Sequence, residues 1–275
     1  MGDDDNVYET DASVNMYLGL HYPSSGEKEG VSAILPHTNA PTSALRFPQR
    51  VGGLLQSLEP TKTNGKALDI GCAVGGSSFQ LAKTFDHVDA FDYSHAFVQM
   101  AQRMQGEESI TFKVPIESDI HETVQSVHEE GITAKIRSKV QFFQGDACQI
   151  PEMVQDGKLT TYDGVIMSNL LCRLKDPMAC LRGIASIVNR GGVVVIVTPF
   201  SWLTEFTSRE NWLGGYYHQE EGTTEKPVQS KDVLTKVMEA EGFEKVHDEE
   251  MPLIIREHQR KYQYIVSQAT GWRKK

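Results

Sequence analysis

Ala67-Leu68-Asp69-Ile70-Gly71-Cys72-Ala73-Val74-Gly75-Gly76-Ser77-Ser78-Phe79 is the stretch from which the fold can be read. Its apolar start gives a short buried strand, its glycines a sharp turn, and Ser77-Ser78-Phe79 the opening of a helix. Glycine is needed where the backbone turns tightly or a ligand comes close. A helix N-terminus offers N–H groups that lack partners within the helix. A second apolar strand, Val88-Asp89-Ala90-Phe91-Asp92, ends in a carboxylate about twenty residues on. An acid at that place can take both hydroxyls of a ribose, so the arrangement grips a nucleoside.

The order Gly71-x-x-x-Gly75-Gly76 differs from the G-x-G-x-x-G of dinucleotide sites, and no Gly-Lys-Ser/Thr of a phosphate loop follows. Asp69, just before the turn, suits a cationic ligand better than a pyrophosphate. The segment resembles the first motif of the class I S-adenosylmethionine-dependent methyltransferases. That resemblance implies S-adenosylmethionine as cofactor, with Asp69, Gly71, Cys72, Ala73 and Gly75 about its methionyl part and Asp92 and Tyr93 at its ribose.

Working outward, the chain alternates strands and helices as a doubly wound sheet does. Strands are expected at Lys66–Ile70, His87–Phe91, Val140–Gln144, Tyr162–Met167 and Val193–Thr198, with two late ones near Met251–Arg256 and Tyr262–Gln268. Helices are expected near Pro48–Ser57, Gly76–Phe85, His95–Gln105 (capped by Ser94), Pro177–Asn189 and Ser230–Glu241. The fold class is therefore α/β, a doubly wound, mostly parallel, seven-stranded Rossmann-like sheet. Residues 106–139 exceed an ordinary connection and read equally as a hairpin or as a helix over 117–130. Residues 1–10 are expected to be loose. Tyr8 to Arg50 reads as an irregular, proline-bearing segment with aromatic anchors, a lid over the ligand mouth. The organisation expected is a lid or arm at 1–50, then a methyltransferase domain at 51–275 with an insertion at about 106–139.

Ligands of such sheets bind beyond the carboxyl ends of the strands, where strand order reverses. Asp69 to Gly76, Asp92, Asp146 with Ala147, and Ser168 with Asn169 all fall at such ends. Asp146 would accept from the adenine amino group while Ala147 offers its backbone N–H. An N-cap role for Asp146 and a strand-end cap role for Asn169 stand beside these readings.

With 275 residues, a formal charge of −10 and pI near 5.4, the chain lacks the basic surface that grips nucleic acid. No window reaches the eighteen apolar residues of a membrane span, and the acidic N-terminus carries no apolar signal core. Cys72, Cys148, Cys172 and Cys180 lie far apart, which reads as buried thiols in a reducing compartment rather than a metal or disulfide set. A cytoplasmic protein without metal is expected.

A closer resemblance covers nearly the whole chain. The run Leu68 to Ala82 with Asp92-Tyr93-Ser94 is similar to the 5-thiohistidine N-methyltransferase of ovothiol biosynthesis. So are Tyr8-Glu9-Thr10-Asp11, Tyr17 to Tyr22, Phe47-Pro48-x-Arg50, Gln144 to Cys148, Asn169-Leu170-Leu171-Cys172-Arg173-Leu174, Thr198-Pro199-Phe200-Ser201-Trp202, Trp212-Leu213-Gly214-Gly215 and the tail Leu253 to Gln263. Gly76 departs from the arginine expected in many members, and 106–139 supports the match least. The resemblance implies methyl transfer to an imidazole nitrogen of 5-thiohistidine, giving ovothiol A, and a sulfoxide synthase as a potential partner. Another small thiol, amine or carboxylic acid as acceptor, or a non-catalytic module that binds the nucleoside and docks on such a synthase, are the competing readings.

A zwitterionic acceptor calls for an arginine on its carboxylate. The candidates are Arg46, Arg50, Arg173 and Arg256, with Arg173 preferred because it follows the fourth strand. Glu9, Asp11 or Glu257 would meet the ammonium group. Asn169 would orient the acceptor nitrogen and His258 would accept a proton. Of Tyr8, Tyr17, Trp202, Trp212 and Tyr216, two are expected to wall the acceptor.

Overall fold

A computed structural model describes residues 6–22, 42–58, 65–218 and 225–275. The residues 1–5 expected to be loose, and most of the proline-bearing stretch, lie outside these. In chain order the helices are α1 (Asp11–His21), α2 (Phe47–Leu58), α3 (Gly76–Leu81), α4 (His95–Gly106), α5 (Ala134–Arg137), α6 (Ile150–Gln155), α7 (Pro177–Ile187) and α8 (Ser230–Ala240). The strands are β1 (Lys66–Ile70), β2 (His87–Asp92), β3 (Thr111–Glu117), β4 (Ile120–Gln125), β5 (Val140–Gln144), β6 (Tyr162–Ser168), β7 (Val188–Thr198), β8 (Tyr216–His218), β9 (Lys226–Val228), β10 (Phe243–His258) and β11 (Lys261–Lys274).

Seven strands form one sheet in the order β10-β11-β7-β6-β1-β2-β5. The five inner-to-edge strands from β7 to β5 run parallel, and the β10–β11 hairpin joins β7 antiparallel. Because β1 and β6 are neighbours while the chain goes from β1 to β2 on the other side, strand order reverses between β1 and β6. That is where an open parallel sheet forms its crevice.

Parallel strands are covered on both faces, and alternate residues sort accordingly. Ala67, Val88, Ala90, Ile166, Val193, Val195 and Val197 face the core shared with α1 to α4. Leu68, Ile70, Val165, Met167, Val194 and Ile196 face the core under α6, α7 and α8.

Two expectations change and one open alternative is decided. The segment from Tyr8 onward is not irregular at its start: Thr10 caps α1 by accepting from the Ser13 N–H, and Val14, Leu18 and His21 bury one side of the helix. Residues 111–125 form the β3–β4 hairpin, not a helix. The last two strands are far longer than expected, and residues 261–267 run past the end of β7, whose Thr198 pairs with Gln268. That overhang of about 20 Å carries the β10–β11 hairpin beyond the carboxyl edge, where Met251, Leu253 and Ile255 share a core with Val14, Leu18 and Tyr22 of the α1 segment.

Candidate active site

The β1–α3 turn is built on the neighbouring strands. Gly71 and Cys72 both donate their N–H to the Phe91 carbonyl, at 2.9 and 3.0 Å. Gly71 has φ +74°, and a Cβ there would stand 2.8 Å from Leu170 at the end of β6. Only glycine meets both demands. Ala73 follows with φ +46° and Gly75 with φ +89°, so the turn holds three residues in the left-handed region.

Asp92 closes this turn. One carboxylate oxygen accepts the Ala73 N–H and the other the Ser94 N–H, each at 2.9 Å. A carboxylate offers about four lone-pair positions, so both oxygens keep capacity for a pair of vicinal hydroxyls. Burial, opposed by these two N–H groups, raises its pKa to about 6. Asp69 is buried under the turn, accepts the Ser78 hydroxyl at 2.6 Å, and is pushed up to about 7 by burial. It braces α3 against β1 instead of facing outward.

Around Asp92 the N-terminal segment, β6 and the loop after β7 bring together Tyr8, Tyr17, Arg173 and Phe206. Tyr8 packs on Tyr17, Phe97 and Phe206, with ring centroids 5.8–6.2 Å apart. Arg173 stacks over Phe206 at 4.9 Å. Its Nη1 donates to the carbonyls of Cys172 (3.0 Å) and Ser201 (2.8 Å), which fixes the plane of the fork. Burial raises the Tyr8 hydroxyl, and the adjacent Arg173 works against that rise. Tyr17 is raised by burial, and both Asp92 and Arg173 act on it.

Asn169 begins the loop after β6 in the left-handed region, φ +51°. Its N–H donates to the Val197 carbonyl at 2.7 Å, and its Oδ1 accepts from Ser267 of β11 at 2.8 Å. A non-glycine residue held so, at a strand end in the crevice, marks backbone strain of the kind that clusters at ligand sites.

Residues 44–248 match the model of a family described as a methyltransferase domain. The chain belongs to that family. No curated protein sequence matches this methyltransferase, but solved structures do. A putative RNA methyltransferase from Pyrococcus horikoshii is 15% identical and aligns over 96% of this chain and 98% of its own, with a TM-score of 0.52. Magnesium protoporphyrin IX methyltransferase from Synechocystis PCC 6803 with bound SAH is 16% identical, over 88% and 92%, at 0.50. The N-terminal domain of EvdMO1, in the presence of SAH and D-fucose, is 13% identical over the whole of both chains, at 0.50. At such identities the likeness is one of fold.

Not every residue singled out in the sequence of this methyltransferase reaches the Asp92–Arg173 cluster. Asp146 caps the turn after β5, accepting the Cys148 N–H at 2.8 Å, with buried Ala147 beside it. Tyr93 is largely exposed next to Asp92. Arg46 pairs with Glu129 of the insertion, and Arg50 holds the Leu45 and Pro252 carbonyls. Arg256 lines a cavity with Asn15, Met16, Gly19 and Leu20, on the side of α1 away from Val14, Leu18 and His21. Trp202 is buried in the core under α8 and donates to Ser230 at 2.8 Å. Trp212 donates to the Thr207 carbonyl at 2.9 Å.

His258 stands at the tip of the β10–β11 hairpin, paired with Lys261, about 20 Å along the strand from Ser267. Glu9 spends its carboxylate on the His95 and Ala96 N–H groups at the start of α4, at 2.8 and 3.0 Å. Glu257 is paired with Lys261.

Two residues of the Tyr17 to Tyr22 stretch, neither assigned a site role from the sequence, sit at the glycine turn. His21 accepts the Gly76 N–H on Nδ1 at 3.0 Å, and Tyr22 donates its hydroxyl to the Val74 carbonyl at 2.6 Å. The first N–H of α3, read from sequence as open to a ligand, is therefore taken. Among the described residues no group of three or more His, Cys, Asp or Glu side chains is placed to hold a metal, and no helix is long and apolar enough to cross a membrane.

Proposed function

We propose that the chain transfers the methyl group of S-adenosylmethionine to an imidazole ring nitrogen of 5-thiohistidine, forming ovothiol A. The observation that carries the acceptor class is Arg173, its guanidinium plane fixed, enclosed by Tyr8, Tyr17 and Phe206 beside Asp92. Aromatic rings gathered about one planar cation suit a small flat acceptor with a carboxylate, since a guanidinium fork matches a carboxylate with two parallel hydrogen bonds. The sequence resemblance to the ovothiol enzyme narrows that class to 5-thiohistidine.

The turn fits the donor. Asp92 keeps acceptor capacity for the ribose hydroxyls, while Asp69 holds the turn in place from beneath through Ser78. Between Gly71 and Gly75 the side chains of Cys72, Ala73 and Val74 are all buried, which leaves no exposed bulk on the turn. When bound, S-adenosylmethionine supplies an activated methyl carbon for in-line displacement. In this reading Asp92 holds the ribose and Asp146 with Ala147 the adenine end. Arg173 holds the acceptor carboxylate, and Asn169, its amide fixed by Ser267, orients the acceptor nitrogen. Asn169 would aim the ring nitrogen's lone pair at the methyl carbon, sulfur would keep the electron pair of the broken bond, and the remaining ring proton would leave to water. A neutral imidazole needs no strong base, so positioning and the exclusion of water by Tyr8, Tyr17 and Phe206 carry the acceleration.

The test is incubation with S-adenosylmethionine and, separately, 5-thiohistidine, histidine and ergothioneine, followed by mass analysis. One added methyl on 5-thiohistidine and none on the other two is expected. Transfer to a different acceptor with none to 5-thiohistidine overturns the acceptor assignment.

A further inference from the structure

We propose that His21 and Tyr22, at the end of α1, are positioning residues for the donor turn, so that the N-terminal segment completes the cofactor site. The inference rests on the reading of that turn as the donor site.

Helix α3 begins without a cap of its own. Its N-cap, Gly75, has no side chain and lies at φ +89°, and the first N–H groups of a helix have no partner within it. His21 supplies the missing acceptor from 55 residues away, taking the Gly76 N–H on Nδ1 at 3.0 Å. Accepting on Nδ1 places the ring proton on Nε2. The ring is buried, and burial pushes its pKa down to about 3, so it stays neutral and able to accept.

The fit is reciprocal. A Cβ on residue 76 would stand 2.8 Å from His21 Nδ1 and 3.1 Å from its Cβ. Glycine at 76, where an arginine is expected from the resemblance, is what allows the imidazole to seat. Two residues earlier the Val74 carbonyl receives the Tyr22 hydroxyl. Gln49 of α2 anchors the pair by donating to the His21 carbonyl at 2.9 Å.

The other end of the same segment grips the far side of Asp92. Ser94 donates its hydroxyl to the Tyr8 carbonyl at 3.0 Å, and Glu9 takes the two N–H groups that open α4. Residues 8–22 thus run from the turn at Val74–Gly76 to the start of α4. Asp92 lies between, bonded to the N–H of Ala73 on one side and of Ser94 on the other. His21, Tyr22, Tyr8 and Glu9, which make the contacts to the turn and to the start of α4, all precede the family match at 44–248. Withdrawing α1 would strip the turn of its cap and of its carbonyl partner together.

The experiment is calorimetric titration of the full chain with S-adenosylhomocysteine, beside thermal unfolding without ligand. His21→Leu keeps bulk but cannot accept; His21→Asn puts an amide oxygen close to the place of Nδ1. His21→Leu is expected to weaken binding about tenfold and His21→Asn less than about threefold, with unfolding temperatures close to each other. Tyr22→Phe, a milder change that keeps the ring, is expected to weaken binding several-fold and to raise the Michaelis constant for the donor more than it lowers kcat. Binding by His21→Leu and Tyr22→Phe equal to the unmodified chain overturns the positioning role alone. Equal losses for His21→Leu and His21→Asn overturn it too. Failure of the unmodified chain to bind S-adenosylhomocysteine overturns the donor reading, and this inference with it.

Discussion

At the scale of single residues, the two acids of the donor turn have separable roles. Asp92 sits between two backbone N–H donors with lone pairs to spare, so Asp92→Ala removes the brace of Ala73 and, on the proposed reading, the ribose acceptor. Binding of S-adenosylhomocysteine should fall by roughly 1–3 kcal/mol, about five- to 150-fold, measured by calorimetry. Unchanged affinity takes Asp92 out of the site. Asp69 is different because it braces the fold. Its native pKa, about 7, lies above the ordinary aspartate value, so the folded chain holds a proton that the unfolded chain releases. Stability from this group is complete below about pH 4 and is lost as pH rises through about 7. Asp69→Asn keeps a neutral partner for Ser78 without titrating. Its unfolding temperature relative to the unmodified chain should therefore climb between pH 5 and pH 8, and a flat difference by scanning calorimetry refutes the assignment. Asp92, present in both proteins, adds through its charge to the rise at Asp69. Arg173→Ala should raise the acceptor Michaelis constant far more than the donor's. Arg173→Lys should rescue it poorly, since a lysine cannot form the planar fork; equal effects on both substrates point to another arginine.

At the scale of elements, legibility followed locality. β1 and β5 match their sequence bounds, and Ser94 caps α4 by accepting the Phe97 N–H, because alternation, glycine and a cap residue act within a few neighbours. α1 carried a readable pattern too, a Thr10 cap and apolar or ring residues at Val14, Tyr17, Leu18 and His21. The prolines of the wider segment, which begin only at Pro23, masked it. The length of β10 and β11 was not readable, since the acidic run Asp248-Glu249-Glu250 hides a strand at the sheet's edge, where one side faces water. The site divides the same way. The Gly71–Gly75 turn and Asp92 announce themselves by spacing, whereas His21 meets Gly76 only through the tertiary packing of α1, and Trp202 looked like a wall until its indole was found tied to Ser230. The packing of α1 makes its own prediction. Leu18 is almost fully buried among Val14, Tyr22 and Leu253 in one core. Leu18→Ala should cost about 2–5 kcal/mol in denaturant unfolding, and a loss under about 1 kcal/mol would mean that α1 contributes little to the folded core.

On the scale of the whole molecule, the two ends of the chain meet over the middle. The family match stops at 248 and starts at 44, yet α1 and the β10–β11 overhang share a core above the carboxyl edge. Ser267 of β11 reaches Asn169, and Tyr8 reaches the Arg173 cluster. A parallel sheet supplies the donor turn, and chain segments at either end of the family domain roof it. Such a division should be visible in amide hydrogen exchange, because opening free energies range from near zero to the global value across one structure. The inner strands β1, β6 and β7, whose apolar side chains are wholly buried, should exchange slowest, through global unfolding. α1 and the 251–266 arm lie at the outer end of the same core, beyond the last pair of β7 and β11, and should open at lower cost. If the roof and the donor turn are coupled through His21, Tyr22 and Ser94, then S-adenosylhomocysteine should slow exchange in α1 and at the start of α4 as well as in residues 71–76. It should leave the tip of the hairpin β3–β4 nearer its ligand-free rate, because residues 117–121 there are exposed, whereas the hairpin meets α1 through Phe112 and Lys113. Slowing confined to 71–76, with α1 unchanged, would show a donor turn that binds on its own and a roof that serves the acceptor alone.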